Sequence, residues 1–259
     1  LESLLDEDIN RPFDLGSQYP IRVKFYHIGG DRTVLLINTH HIASDGWSME
    51  IFQRELYAYY QAYVNNDEAF NLSPLEIQYK DYAIWQRAYL RGEILEEQLD
   101  YWKDKLSGYQ ALELPTDRPR PKMVDYTGDY GSFALSKATS DKLRGFAKKH
   151  GTTLHTVLLS ATNILLGKYS GQDDIVTGSV IANRHYRQTQ DLIGFFVNTQ
   201  VNRALLDRAQ SFEQLVQQAH QEQVAAQLHQ DIPFERLVDE LGVDRDTSRH
   251  PIFQVSFTV

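Results

Sequence analysis

Residues 40–48 read His40-His41-Ile42-Ala43-Ser44-Asp45-Gly46-Trp47-Ser48, HHIASDGWS. They follow an alternating apolar run and precede an amphipathic one. The chain has only 9 histidines, yet two stand side by side where a strand is expected to end. Neighbouring strand residues point to opposite faces, so one imidazole would face the interior and the other a cleft. Asp45-Gly46 reads as a turn, since glycine tolerates a positive φ. Four readings compete for this stretch. An arbitrary His-His pair at a strand end needs no chemistry. A metal set of His40, His41 and Asp45 is opposed by the alternation, and no further carboxylate or imidazole cluster stands nearby to complete it. Ser48 in DGWSME resembles half of a nucleophile elbow, but Glu50 stands where that motif needs glycine. The last reading is a lone general base or a positioning histidine, because imidazole is the commonest side-chain acid/base near neutral pH. Spacing does not decide among them.

Working outward, IRVKFYHIGGDRTVLLINTHHI (21–42) predicts two strands around Gly29-Gly30-Asp31. SMEIFQRELYAYYQAYVNN (48–66) places Met49, Ile51, Phe52, Leu56, Tyr59, Tyr60 and Tyr63 at helical spacing, with Ser48 as N-cap. SPLEIQYKDYAIWQRAYL (73–90) predicts a helix from near Pro74, and EILEEQLDYWKDKLSG (93–108) a helix closed by Gly108. LELPTDRPRPKM (112–123) carries three of the 8 prolines among polar residues and reads as a linker. Beyond it come a strand GSFAL (131–135), a helix behind Ser136, an apolar helix over 153–171, and a strand DIVTGSVIA (174–182). A polar loop around Arg184, a strand FFVNTQVNRALL (195–206), a helix over 211–229, a short helix after Pro233 and a final strand FQVSFTV (253–259) follow. Strands and helices alternate, so the class is α/β or α+β. The Tyr-rich helix 56–63 reads as core and surface. His150, His155, His220 and His229 show no motif geometry, the first three reading as surface or core, and Asp231 and Pro233 read as loop-ordering and helix-starting residues.

Composition bounds the function. The 259 residues are 42% hydrophobic and 24% charged, enough for a core and against disorder. A formal net charge of −9 without a basic run sets nucleic-acid binding aside. The absence of cysteine removes disulfides, thiolate metal sites and a cysteine nucleophile, and it fits a reducing compartment. The opening LESLLDEDINRPFDL is acidic, broken by Pro12 and unlike a signal peptide, and no run is long enough for a membrane span, so a cytoplasmic protein without membrane partners is expected. The chain does not begin with Met and is expected to be a piece of something longer.

HHIASDG resembles the HHxxxDG signature of the condensation domains of nonribosomal peptide synthetases, a branch of the chloramphenicol acetyltransferase-like acyltransferases. Four further blocks resemble that family in order: YKDYAIWQR (79–87), IGFFVNTQVNR (193–203), HQDIPFERL (229–237) and RDTSRHPIFQV (245–255). The resemblance implies a two-lobed chloramphenicol acetyltransferase-like α/β (α+β) fold with an incomplete N-lobe. Residues 1–111 would be the C-terminal part of the N-lobe, 112–123 the linker, and 124–259 a C-lobe incomplete at its end. A tunnel between the lobes would meet the signature histidine.

The implied activity is amide formation. A donor aminoacyl or peptidyl thioester on an upstream carrier protein is attacked by the α-amine of an aminoacyl group on a downstream carrier. The subtype is expected to join an L-donor to an L-acceptor. By position, His41 matches the catalytic histidine and His40 the more structural one. Asp45 matches the aspartate that pairs with an arginine, with Arg184 the candidate partner, and Gly46 belongs to the same positioning set. Trp47, Ser48, Asn198 and His250 are candidates for the tunnel wall, and a backbone N–H near Gly46 for the oxyanion. No metal and no cofactor is expected in the domain itself. Phosphopantetheine would come on the carrier proteins, and an adenylation domain of the same synthetase is the expected neighbour. The alternatives are an epimerisation domain, an ester-forming relative, or a non-catalytic module that recruits carrier proteins or a partner enzyme. Heterocyclisation domains carry aspartates for the histidines and are excluded. The isolated chain is expected to be inactive.

Overall fold

The computed structural model describes residues 1–243 and 246–259; Asp244 and Arg245, the latter opening the RDTSRHPIFQV block, lie outside the described residues. The chain divides into two compact units, 1–88 with 182–197, and 89–181 with 198–259. These are not the expected segments. Residues 112–123 fall inside the second unit, and 89–111 and 182–197 change sides.

The first unit opens with helix α1 (Glu2–Asn10) and a hairpin of β1 (Ile21–His27) and β2 (Thr33–Thr39). The strands pair antiparallel, with Val23 opposite Ile37 and Phe25 opposite Leu35. Gly29, Gly30 and Asp31 all take positive φ in the turn, which is why this sequence reverses there. β2 ends one residue before the histidines. The His40 amide still donates to Pro20 O at 2.8 Å, but the Ala43 amide then donates to His40 O at 3.0 Å and closes a turn over His41 and Ile42. Strand alternation therefore does not govern the pair.

Helix α2 (Gly46–Val64) follows, capped by Asp45 rather than Ser48: the Asp45 carboxylate accepts from the Ser48 amide. Gly46 is the first helical residue, has no positive φ, and a Cβ there would meet nothing within 4 Å. The Asp-Gly pair is thus a helix start, not a glycine turn. Helix α3 (Tyr79–Tyr89) begins five residues after Pro74. Ile77 instead joins Tyr79, Tyr82, Leu192 and Phe196 in a small core, and the Gln78 amide donates to Asp81 Oδ2 at 2.8 Å.

The second unit holds α4 (Gly92–Lys105), α5 (Lys137–Lys149), α6 (Leu154–Ser170), β3 (Asp174–Ile181), β4 (Asn198–Leu205), α7 (Phe212–Leu228) and α8 (Phe234–Glu240). β3 and β4 pair antiparallel, with Gly178 opposite Val201. Val176 and Val201 share one sheet face and pack with Trp102, Ile232, Phe234 and Phe253 in the main core. Ala147, Val157 and Val216 tie α5, α6 and α7 together.

Two expected strands are absent among the described residues. GSFAL has no ladder, and Phe133 is 89% exposed. FQVSFTV makes a single parallel bridge, Ser256 to Gly178. There the Phe253 ring lies where a side chain at 178 would be: a Cβ would sit 2.2 Å from its Cζ. The expected linker is held at its start. Leu112 is fully buried, the Glu113 amide donates to Gln172 Oε1 at 2.7 Å, and Gln172 Nε2 donates to Ala111 O at 3.0 Å. Among the described residues no helix is long and apolar enough to cross a membrane.

Candidate active site

The signature residues lie in the first unit, on the turn after β2 and the first turn of α2. Asp45 is their anchor. Its side chain is fully buried. Oδ1 accepts from the Ser48 amide at 2.8 Å, and Oδ2 from the Phe196 amide at 3.0 Å. Arg184 Nη2 reaches both oxygens, at 3.0 and 3.3 Å.

The arginine singled out in the sequence is thus brought onto Asp45, but through one nitrogen rather than a two-pronged fork. The second nitrogen is committed elsewhere: Nη1 donates to Thr189 O at 2.5 Å and to Leu192 O at 2.7 Å. The guanidinium also lies over the Phe196 ring, 4.1 Å from its centre. Burial alone would raise the Asp45 pKa. Hydrogen bonds from Ser48 and the Phe196 amide, with the Arg184 charge, outweigh it and hold the carboxyl below its ordinary value. Burial draws Arg184 below its usual value, with Asp45 opposing.

Ser48 is a second hub. Its hydroxyl donates to Gly194 O at 2.8 Å and accepts from the Gly194 amide at 3.1 Å and from Arg184 Nη2 at 2.7 Å. Fully buried and fully engaged, it has no capacity left for a substrate. The expected tunnel role for Ser48 gives way to a structural one. Trp47 is 43% exposed and donates its indole N–H to Gln190 O at 2.9 Å.

The two histidines are held in opposite tautomers. His41 Nδ1 lies 2.6 Å from Ser44 O. A carbonyl can only accept, so Nδ1 carries the proton and Nε2 keeps a free lone pair. His40 Nδ1 accepts from the Ile42 amide at 3.0 Å, so its proton sits on Nε2. The His40 ring packs edge-on against Phe13 and is half-buried, whereas the exposed His41 ring packs edge-on against Phe195, 5.1 Å between centres. No metal-binding group of three ligands occurs among the described residues.

Sequence reasoning passed over the 194–196 backbone and Tyr79, although both lie in blocks it had marked. Tyr79 donates its hydroxyl to Phe195 O at 2.7 Å and packs edge-on against Phe196. Burial, with a smaller push from Asp45, raises the Tyr79 pKa, which keeps the phenol a donor.

Asn198 and His250 belong to the second unit. Asn198 Nδ2 donates to Gln230 O and Ile232 O, and Oδ1 accepts from the Phe234 and Thr199 amides, all within 2.8–3.0 Å. Its amide is spent on holding the HQDIPFE loop and capping α8, which leaves nothing for a tunnel wall. His250 is exposed and stacks on Phe234.

The chain matches the condensation-domain family model over residues 1–259. It is 44% identical over 249 residues to a linear gramicidin synthase of Brevibacillus parabrevis, covering 96% of this chain but 5% of that protein. It superposes on the X-domain in complex with OxyB from teicoplanin biosynthesis with a TM-score of 0.89 and 28% identity, covering 98% of this chain and 57% of that one. The first condensation domain of the calcium-dependent antibiotic synthetase, in complex with a substrate analogue, matches in fold alone, with a TM-score of 0.71 at 21% identity over 93% of this chain and 53% of that one. The fold is the chloramphenicol acetyltransferase-like α/β fold, and the chain belongs to the condensation-domain family of nonribosomal peptide synthetases.

Proposed function

We propose that this chain carries the reaction centre of a condensation domain that forms a peptide bond between two carrier-bound aminoacyl groups, an L-donor and an L-acceptor. The observation that carries the reading is His41, whose Nδ1 is occupied by Ser44 O and whose Nε2 is left as a base on a turn anchored by Asp45 and Arg184. The acceptor nitrogen attacks the thioester carbon and the carbon–sulfur bond breaks. The proton shed by the nitrogen passes to His41 Nε2 and on to the leaving sulfur. A free α-amine titrates near ~7.7–8.0, so roughly a tenth of it is already neutral near pH 7 and can attack without prior deprotonation, and His41 acts after or during attack rather than before it. The thioesters are supplied on the phosphopantetheine arms of upstream and downstream carrier proteins. An adenylation domain of the same synthetase loads them.

In the full-length protein that carries this chain, His41→Ala is expected to slow dipeptidyl thioester formation by about 10²–10⁴-fold, read by mass spectrometry of loaded carriers. An unchanged rate overturns the reading. A second reading, a non-catalytic recruitment module, draws on the likeness to an X-domain captured in complex with OxyB. The free Nε2 of His41 favours catalysis, and a wild-type protein that binds carriers without condensing them would favour recruitment.

A further inference from the structure

We infer that Tyr79 and Phe195 form a clamp that positions His41, a role resting on the proposed catalytic use of that histidine. Among the described residues, Phe195 gives His41 its aromatic neighbour, an edge-on contact at 5.1 Å and 87°. A ring on a loose loop would not fix an imidazole on an exposed turn. Here the backbone on both sides of Phe195 is held. The Gly194 amide and carbonyl are both bound by Ser48 Oγ, the Phe195 carbonyl by the Tyr79 hydroxyl, and the Phe196 amide by Asp45. Three of these four bonds come from Asp45 and Ser48 of the 40–48 stretch. The fourth, from Tyr79, comes from α3.

Gly194 makes that fourth bond possible. A Cβ at 194 would lie 2.1 Å from Tyr79 Cδ2 and 2.6 Å from Cε2, so only glycine lets the phenol ring lie against this backbone. The Tyr79 ring also packs edge-on against Phe196, 5.1 Å between centres. The Ser44 carbonyl selects the His41 tautomer, and the clamped Phe195 ring sets the plane in which Nε2 is presented. Tyr79 and Phe195 are positioning residues: neither has to touch substrate.

The test uses the full-length protein with Tyr79→Phe, which removes only the hydroxyl, Phe195→Leu, which removes the ring edge, and Phe195→Tyr, which restores it. Two readouts are taken. One is the kcat and KM of condensation. The other is the rate at which diethyl pyrocarbonate modifies His41, mapped by peptide mass spectrometry with exposed His27 as internal reference. Losing one neutral hydrogen bond or one aromatic edge contact corresponds to a rate loss of about threefold to about tenfold. Tyr79→Phe and Phe195→Leu are expected to lower kcat by that factor with KM unchanged and to raise His41 modification at least about threefold, while Phe195→Tyr restores both. If modification rises and kcat holds, the clamp stands and the catalytic role of His41 falls. If His41 modification is unchanged in both Tyr79→Phe and Phe195→Leu, the clamp is overturned. A fall in kcat with unchanged modification overturns it too.

Discussion

Asp45 accepts from two backbone amides and a guanidinium while wholly out of water. Such a carboxylate is stable only while all three donors face it. Asp45→Asn turns one oxygen into a donor that confronts Arg184 and leaves a buried cation without its counter-charge. Breaking a buried pair on one side costs about 3–5 kcal/mol, and urea unfolding is expected to show a loss of that size. Because the folded carboxyl titrates below its ordinary value, the stabilisation is complete above ~3.9 and is lost as pH falls through the lower folded-state value. The pairing was legible only through the family resemblance. The two residues are 139 positions apart, and no periodicity links them. The division of labour between His40 and His41 was argued from strand alternation, but β2 stops at Thr39. Their distinction rests instead on which backbone group each Nδ1 meets, which no spacing encodes.

At the level of elements, local chemistry was the most readable. Ser136 caps α5 by accepting from the Thr139 amide, Gly108 takes positive φ after α4, and the GGD turn makes the hairpin. Features that need a distant partner were not readable. GSFAL and FQVSFTV have strand-like composition, yet a strand exists only where a neighbour offers a ladder, and among the described residues each lacks one. Helix α8 shows the converse. Pro233 supplies no side-chain cap, and the Phe234 amide is satisfied by Asn198 from the start of β4. Asn198→Ala removes that cap and strands the carbonyls of Gln230 and Ile232. A loss of about 1–3 kcal/mol in denaturant unfolding is expected, with raised amide hydrogen exchange in residues 230–240.

For the molecule as a whole, acid sensitivity has a second source in the other unit. His155 is shifted down by burial and accepts at Nδ1 from Gln223 Nε2 at 3.1 Å, with the Phe257 ring edge-on beside it. The unfolded chain therefore takes up a proton near ~6.5 before the folded one does. Stability from this site is complete above ~6.5 and declines as pH drops through the lower folded-state value. His155→Phe is expected to flatten the part of the stability curve that declines below ~6.5, measured by thermal unfolding. The long reach of the Asp45–Arg184 contact also bears on how the protein is born. At ~5–20 residues per second a ribosome needs roughly 7–28 s to cover the 139 residues between them. Throughout that interval the nascent chain holds every residue of HHIASDG, but its aspartate is still hydrated and its turn unanchored. The anchored turn comes into being with the arrival of residues 184–196, so a translation product that stops short of them carries the whole signature without its anchor.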